Sequence, residues 1–270
     1  MTIDEWYRGG LDDEAGHAGA VKILAVSDKI IPVIYSAAAR EQFSDVSLVI
    51  GCGDLPYYYL EFILTVLDKP LFFVRGNHAH QVEYGTSGPR RSPWGAVDLH
   101  RRAHVWNKLL FAGFEGSRRY NRGPYQYTDR EMWLQVWGLV PHLIMNKLIY
   151  GRYLDILVTH SPPYQIGDAD DPAHIGFRAF RWLLRWFKPR LMLHGHIHLY
   201  HPKTPWRGHF VETEIINCYG YRVLDLAEFG LVRGDPVKDP KDAGTTSRAR
   251  LRSSDAQGVL EPDQELGDAT

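Results

Sequence analysis

Short apolar runs alternate with helical stretches through most of this chain, and each of five runs ends in a small polar cluster. The five runs cover residues 21–27, 46–51, 71–75, 155–159 and 190–193. Strands that alternate with helices in this way predict βαβ units and a mainly parallel sheet. Because ligands bind in the crevice beyond the carboxyl ends of such strands, we expect the five clusters to meet there.

The five clusters share a set of side chains that suits metal ions. In chain order they are Asp28, Gly53-Asp54, Gly76-Asn77-His78, His160 and Gly195-His196-Ile197-His198. Together they offer two carboxylates, one amide oxygen and four imidazoles, with no thiolate. Oxygen and nitrogen donors of this kind are typical ligands of hard-to-borderline metals, so the sequence predicts a site for two ions such as Mn, Fe, Zn or Ni.

Composition narrows the function classes. Of the 270 residues, 44% are hydrophobic and 23% are charged, and the formal net charge is -1. This balance is typical of a globular protein and gives no overall attraction to nucleic acid or to an anionic membrane. Cys52 and Cys218 lack the spacing of a disulfide framework or a zinc site, which favours a reducing, cytoplasmic location. Polar residues interrupt the longest apolar stretch, 132–150, so we expect no transmembrane segment.

The chain divides into three predicted parts. Residues 1–20 are expected to be a flexible lead-in, 21–230 the folded domain, and 231–270 a disordered tail without aromatic residues. Within the domain we predict helices over 32–43, 57–67 and 173–187, and a loop over 80–94. Thr128 and Glu131 form the pattern of a capping box, which predicts a helix from there to about residue 149. The acidic residues of 168–174 are expected to cap the last helix.

Taken in order, the clusters resemble the motifs of the calcineurin-like metallophosphoesterases, the superfamily of the purple acid phosphatases. Those motifs are Asp-x-His, Gly-Asp, Gly-Asn-His-Asp or Glu, an isolated His and Gly-His-x-His, and the match runs from residue 21 to about 226. The resemblance implies an α/β fold, a two-sheet α/β/β/α sandwich. It also implies hydrolysis of a phosphate monoester or diester through a metal-bound hydroxide at a dinuclear site.

The resemblance assigns roles residue by residue. It implies six ligands for two divalent or mixed-valence ions: Asp28 and His198 for the first, Asn77, His160 and His196 for the second, and Asp54 between them. His78 would be the catalytic residue that donates a proton to the leaving oxygen, as an imidazole can near neutral pH.

Two positions depart from the family pattern. Ile30 stands where the family has a metal-binding histidine, and Ala79 stands where it usually has an acid that orients the catalytic histidine. Purple acid phosphatases also lack the first histidine and use a tyrosine three residues after the bridging aspartate, a spacing that Tyr57 has from Asp54. Tyr57 is therefore a tentative ligand, although it could instead begin a helix and pack there. Tyr59 or water could also complete the site, and His80 could replace the missing acid.

Two further segments each allow a functional and a purely structural interpretation. Arg119 and Tyr120 are weak candidates for substrate binding, since guanidinium groups suit phosphate. Residues 177–187, with Trp182 and Trp186, could form a helix that docks on a membrane, but a helix that covers the sheet with its tryptophans inward is favoured.

The leading functional prediction is a metal-dependent phosphoesterase with a small phosphorylated substrate. The alternatives are a catalytically weak metal-binding scaffold of the same fold and a nuclease. The charge balance indicates no large nucleic-acid surface, which argues against the nuclease. The oligomeric state is left open.

Overall fold

A computed structural model describes residues 21–79, 82–85, 88–201 and 203–231. The predicted lead-in, 1–20, and the predicted tail apart from Leu231 lie outside the described residues. The strands are β1 (Lys22–Ser27), β2 (Val46–Gly51), β3 (Leu71–Phe73), β4 (Glu83–Gly85), β5 (Gly88–Arg90), β6 (Val97–Asp98), β7 (Ala103–Trp106), β8 (Leu109–Phe114), β9 (Ser117–Arg118), β10 (Gln126–Tyr127), β11 (Ile156–Thr159), β12 (Leu191–His194), β13 (Arg207–Phe210), β14 (Thr213–Asn217) and β15 (Gly220–Asp225). The α-helices are α1 (Ala39–Gln42), α2 (Tyr57–Leu67), α3 (Asp129–Tyr150) and α4 (Arg178–Phe187), and a 3-10 helix spans Leu226–Phe229.

Two large sheets carry the fold. The first has the strand order β15-β1-β2-β3-β6 and the second the order β13-β14-β12-β11-β8-β7. In the first sheet β1, β2, β3 and β6 are parallel neighbours, and β15 pairs antiparallel with β1. In the second, β8, β11, β12 and β14 are parallel, with antiparallel strands β7 and β13 at the two edges. The clusters that follow β1, β2, β3, β11 and β12 thus belong to two adjacent sheets.

Three apolar clusters define four layers. One lies between the sheets and joins side chains such as Ile23, Leu48 and Phe72 to Phe111 and Ile216. A second packs α1 and α2 against the first sheet, and a third packs α3 and α4 against the second. This arrangement confirms the predicted α/β/β/α sandwich.

Several local predictions are confirmed. Helix α2 has the predicted limits, and its N-cap is Pro56. At the start of α3 the Thr128 hydroxyl accepts a hydrogen bond from the Glu131 amide, and the Glu131 carboxylate accepts one from the Thr128 amide. Each satisfies an amide that would lack a partner in the first helical turn. The helix continues through Pro141 to Tyr150, whereas the sequence predicts that this proline kinks or divides it.

Other predicted limits are wrong. Only Ala39–Gln42 of the predicted helix 32–43 is helical, and turns precede it. In those turns the Ser36 hydroxyl donates to the Val33 carbonyl, a local bond that competes with helix formation. The predicted loop 80–94 contains the hairpin of β4 and β5.

Helix α4 begins at Arg178 rather than at residue 173, and its N-cap, Phe177, makes no side-chain cap. The acids before α4 stabilise the loop instead. Asp168 accepts hydrogen bonds from the amides of Gln165 and Gly176. The predicted capping role for residues 168–174 is therefore wrong.

Candidate metal centre

Sharp backbone turns follow the strands that reach the centre. Asp28, Asp54 and His196 have φ angles of 63°, 54° and 68°, which place all three in the left-handed region. Residues other than glycine seldom adopt this conformation, and such strained positions cluster at functional sites. Three of the six residues predicted to bind metal thus share an uncommon backbone geometry.

The motif glycines make room for the polar groups. A Cβ atom at Gly76 would lie 2.6 Å from the backbone nitrogen of Asp54 and still closer to its carboxylate oxygen. A Cβ at Gly195 would lie 2.5 Å from the Asp28 carboxylate, and one at Gly53 would overlap the His160 ring. Only glycine lets the backbone approach these side chains so closely.

Three side chains converge on one point. Ligand atoms of Asp54, His160 and His196 all lie within 4.8 Å of one another. The His160 Nε2 atom lies 3.2 Å from the Asp54 Oδ2 atom and 3.1 Å from the Asn77 Oδ1 atom. His160 is fully buried, and Asn77 is buried beside it. The amide oxygen of Asn77 therefore joins the group of donors.

Backbone carbonyls fix the two imidazoles. His160 donates from Nδ1 to the Cys52 carbonyl at 2.9 Å, which leaves Nε2 facing Asp54. His196 donates from Nε2 to the Ala173 carbonyl at 2.8 Å, which leaves Nδ1 free to accept. Carbonyl partners of this kind hold metal-binding histidines in the required tautomer.

Backbone amides orient the two carboxylates. Both Asp28 oxygens accept from the His196 amide, at 3.1 and 3.0 Å, and the Asp54 Oδ1 atom accepts from the His78 amide at 2.7 Å. The Asp28 Oδ1 atom also lies 3.7 Å from the His198 Nε2 atom. Asp28 and His198 thus form a second pair of donors, which the His196 amide connects to the first group.

Burial and charge perturb the pKa values of the central group. Burial raises the pKa of Asp54, but the charge and hydrogen bond of His160 outweigh it and lower the pKa to about 2. Burial lowers the pKa of His160, and the carboxylate of Asp54 reverses this and raises it to about 9. Burial, aided by repulsion from His160, lowers the pKa of His196 to about 3. A cation at this point would replace the proton that Asp54 and His160 share.

The remaining predicted residues take different places. His78 is exposed next to the centre. The Tyr120 hydroxyl accepts a hydrogen bond from the Asn77 amide at 3.2 Å, so the structure brings Tyr120 to the centre. Arg119 instead pairs with Glu131 at the start of α3, at 3.0 Å.

Tyr57 has a different polar partner. It is 1% exposed, and its hydroxyl accepts a hydrogen bond from the Arg75 Nε atom at 3.2 Å. Burial raises the pKa of the phenol despite the nearby guanidinium, which disfavours a phenolate ligand.

Arg75 also supports the turn that carries Asn77 and His78. It pairs with Asp98 at 2.5 Å and with Glu115 at 3.3 Å. These contacts connect the end of the third apolar run to both sheets, because Asp98 ends β6 and Glu115 follows β8.

Two tyrosines that the sequence did not single out lie beside His198. The Tyr200 hydroxyl is 2.7 Å from the His198 Nδ1 atom, and the Tyr219 ring centroid is 4.7 Å from that of His198. At position 30, where the family has a ligand, the Ile30 side chain packs against the apolar cluster that holds α2. No local pattern pointed to Tyr219, because it reaches the centre from the segment just before β15, far along the chain from most of the predicted ligands.

Comparison with known proteins agrees with the fold. A family model described as calcineurin-like phosphoesterase matches residues 22–200. The chain therefore belongs to the calcineurin-like phosphoesterases. This membership, together with the group of Asp54, His160 and His196, indicates a metal-dependent phosphoesterase in general terms.

Solved structures share the fold at low identity. One crystal structure is 14% identical with a TM-score of 0.54, and the match covers 78% of this chain and 96% of the other. The crystal structure of TT1561 from Thermus thermophilus is 13% identical with a TM-score of 0.52, at the same coverage. None of the curated proteins matches this chain.

Proposed function

We propose that the protein hydrolyses a phosphate monoester or diester at a dinuclear metal site. The observation that carries the proposal is the convergence of Asp54, His160 and His196, whose ligand atoms lie within 4.8 Å of one another. Asn77 would join His160 and His196 in holding one ion, Asp28 and His198 would hold the other, and Asp54 would contribute to both. Mn, Fe, Zn and Ni all suit these donors. Tyr57 is left out of this set because it is engaged by Arg75.

Two such cations, when bound, supply a nucleophile at neutral pH and neutralise charge on the phosphate oxygens. The protein supplies the orientation. The amides of His78 and His196 hold the two carboxylates, and the carbonyls of Cys52 and Ala173 hold the two imidazoles. His78 is exposed at this point and would donate a proton to the leaving oxygen.

The substrate proposed is a small phosphorylated molecule. Tyr120 contacts Asn77 and is 37% exposed, so it stands at the rim where a substrate would enter. Cys52 and Cys218 are both free and buried, which supports a reducing compartment such as the cytoplasm.

The test compares metal content and turnover in His78→Ala and Asn77→Ala. Bound Mn or Fe is measured by mass spectrometry, and turnover is measured on an alkyl phosphate and on an aryl phosphate with a good leaving group. We expect His78→Ala to keep its metal and to lose about 10²–10⁴ in kcat on the alkyl phosphate. The loss should be much smaller on the aryl phosphate, whose leaving oxygen needs no proton. Asn77→Ala should bind less metal.

His209→Ala is the matched control, since His209 is exposed on β13 and pairs with Glu214. It should match the wild type in both measurements. An equal loss on both substrates in His78→Ala would contradict the proton-donor role. A wild-type protein that retains metal but turns over no phosphate ester would favour a metal-binding scaffold. That alternative is motivated by Ile30 and Ala79, which replace a metal-binding histidine and an orienting acid of the family.

A further inference from the structure

Helix α3 is apolar on two opposite sides. Its inner side buries Met132, Val136, Leu139 and Leu143 against the second sheet. Its outer side carries a second apolar stripe at spacings of three and four residues, which is exposed: Leu134, Trp137, Ile144, Met145, Leu148 and Ile149. A helix that is apolar all round is normally buried on all sides. One side of α3 therefore lacks a partner within the part of the chain that the structure describes.

Tryptophans extend the stripe onto α4. The ring centroids of Trp137 and Trp182 are 4.8 Å apart, and Trp186, one turn beyond Trp182, is 62% exposed. The expectation that the tryptophans of this helix point inward is wrong for Trp186. Leu148 and Ile149, at 75% and 63% exposed, continue the surface to the end of α3. We call this surface, formed by the outer side of α3 and Trp186, the apolar face.

The two stretches that carry the apolar face, 132–154 and 172–211, contain basic residues and no acids. Lys147 stands near the end of the stripe and Arg185 beside Trp186, and both are exposed. Although the chain has a net charge of -1, the stretches that form the apolar face are therefore positively charged.

We propose that the apolar face binds the surface of an anionic lipid bilayer. Aliphatic side chains and tryptophans would enter the boundary between head groups and acyl chains, and the surrounding cations would contact anionic head groups. The arrangement is interfacial, since no helix among the described residues is long and apolar enough to cross a membrane. A second copy of the chain is a poorer occupant, because a two-fold contact would bring the same cations together.

The test uses the full chain with vesicles of phosphatidylcholine alone and of phosphatidylcholine mixed with phosphatidylglycerol. We expect co-sedimentation with the mixed vesicles that weakens as salt is added. The double variant Leu148→Glu/Ile149→Glu should lower the partition coefficient roughly ten-fold or more, because it puts charges where apolar groups would be buried. Val223→Glu is the matched control, since Val223 is apolar and 43% exposed but lies on β15 of the other sheet.

Circular dichroism checks that each variant is folded, and light scattering gives the oligomeric state without vesicles. A dimer that becomes a monomer in the double variant would overturn the proposal in favour of a second copy. A monomer that binds neither kind of vesicle would also overturn it. Equal binding by the double variant and the wild type would show that another surface contacts lipid.

Discussion

At two glycines the backbone lies directly against an aspartate side chain, and this close contact fixes the geometry of the centre. The carboxylates of Asp28 and Asp54 lie against the backbone of Gly195 and Gly76, and neither glycine can gain a Cβ without a shift. Each carboxylate also accepts a hydrogen bond from an amide in the same turn as the glycine. A shift of that turn would therefore both move and rotate the carboxylate. We therefore expect the glycines to affect metal binding at the proposed site without contacting the ion.

Gly76→Ala should lower metal affinity on the order of ten-fold to a hundred-fold, as the loss of a group that orients a ligand does. The added Cβ would lie 2.6 Å from the Asp54 backbone nitrogen. Calorimetric titration of the metal-free protein with Mn measures the effect. Gly138→Ala is the control, because a Cβ there meets nothing within 4 Å. It should bind metal normally and stabilise α3 by about 0.5–1 kcal/mol. Equal affinity in both variants would refute the steric argument.

At the scale of elements, α3 depends on its first turn. The Thr128 and Glu131 side chains satisfy amides reciprocally, and Arg119 holds the Glu131 carboxylate. The same turn lies next to α4, whose first amide, that of Arg178, donates to Asp129 at 3.2 Å. The start of α3 therefore positions both helices that cover the second sheet.

Thr128→Ala should destabilise the protein by about 1 kcal/mol, the usual cost of losing an N-cap side chain. Urea unfolding monitored by circular dichroism measures the change. Thr65→Ala is the comparison variant, because the Thr65 hydroxyl donates to the Glu61 carbonyl inside α2 and caps nothing. It should change stability much less. The interpretation fails if the two variants lose the same free energy.

At the scale of the whole molecule, histidines enclosed between elements link stability to pH. His100 follows β6 and accepts a hydrogen bond on Nδ1 from the Glu115 amide at 3.1 Å. Burial is the main cause that lowers its pKa to about 4; Asp98 opposes the shift, and the nearby guanidinium groups of Arg101, Arg75 and Arg102 add to it. Between about pH 6.5 and pH 4, His100 is therefore protonated in the unfolded chain but neutral in the folded protein.

The sign follows from that difference. Above about pH 6.5 the ring is neutral in both states; as the pH falls towards 4 the unfolded chain gains the proton first, so stability is lost. Between pH 6.5 and pH 4 this single histidine should lower the free energy of unfolding by on the order of 3 kcal/mol. His100→Asn, which keeps an acceptor near the Glu115 amide, should flatten the dependence of unfolding free energy on pH. His142→Asn, at an exposed position of α3, should leave it unchanged. A parallel pH profile in His100→Asn and wild type would rule out this role.

Features that depend on local chemistry were predictable from the sequence alone. The limits of β2 and α2, the capping box at Thr128 and the convergence of the polar clusters follow from periodicity, hydrogen-bonding patterns and the position of strand ends. Predictions from local patterns were wrong where other contacts compete with the predicted hydrogen bonds. Residues 32–38 form turns, and the acids before α4 stabilise a loop instead of capping the helix.

Which groups contact each other and which remain exposed depends on tertiary packing. Tyr57 contacts Arg75, and His198 contacts Tyr219. Each partner lies on a different segment of the chain, so no local pattern predicts the contact. The outer side of α3 has the same apolar residues that would predict a buried helix, yet it is exposed. Periodicity shows which sides of a helix can be buried, whereas the number of elements packed around it decides which sides are buried.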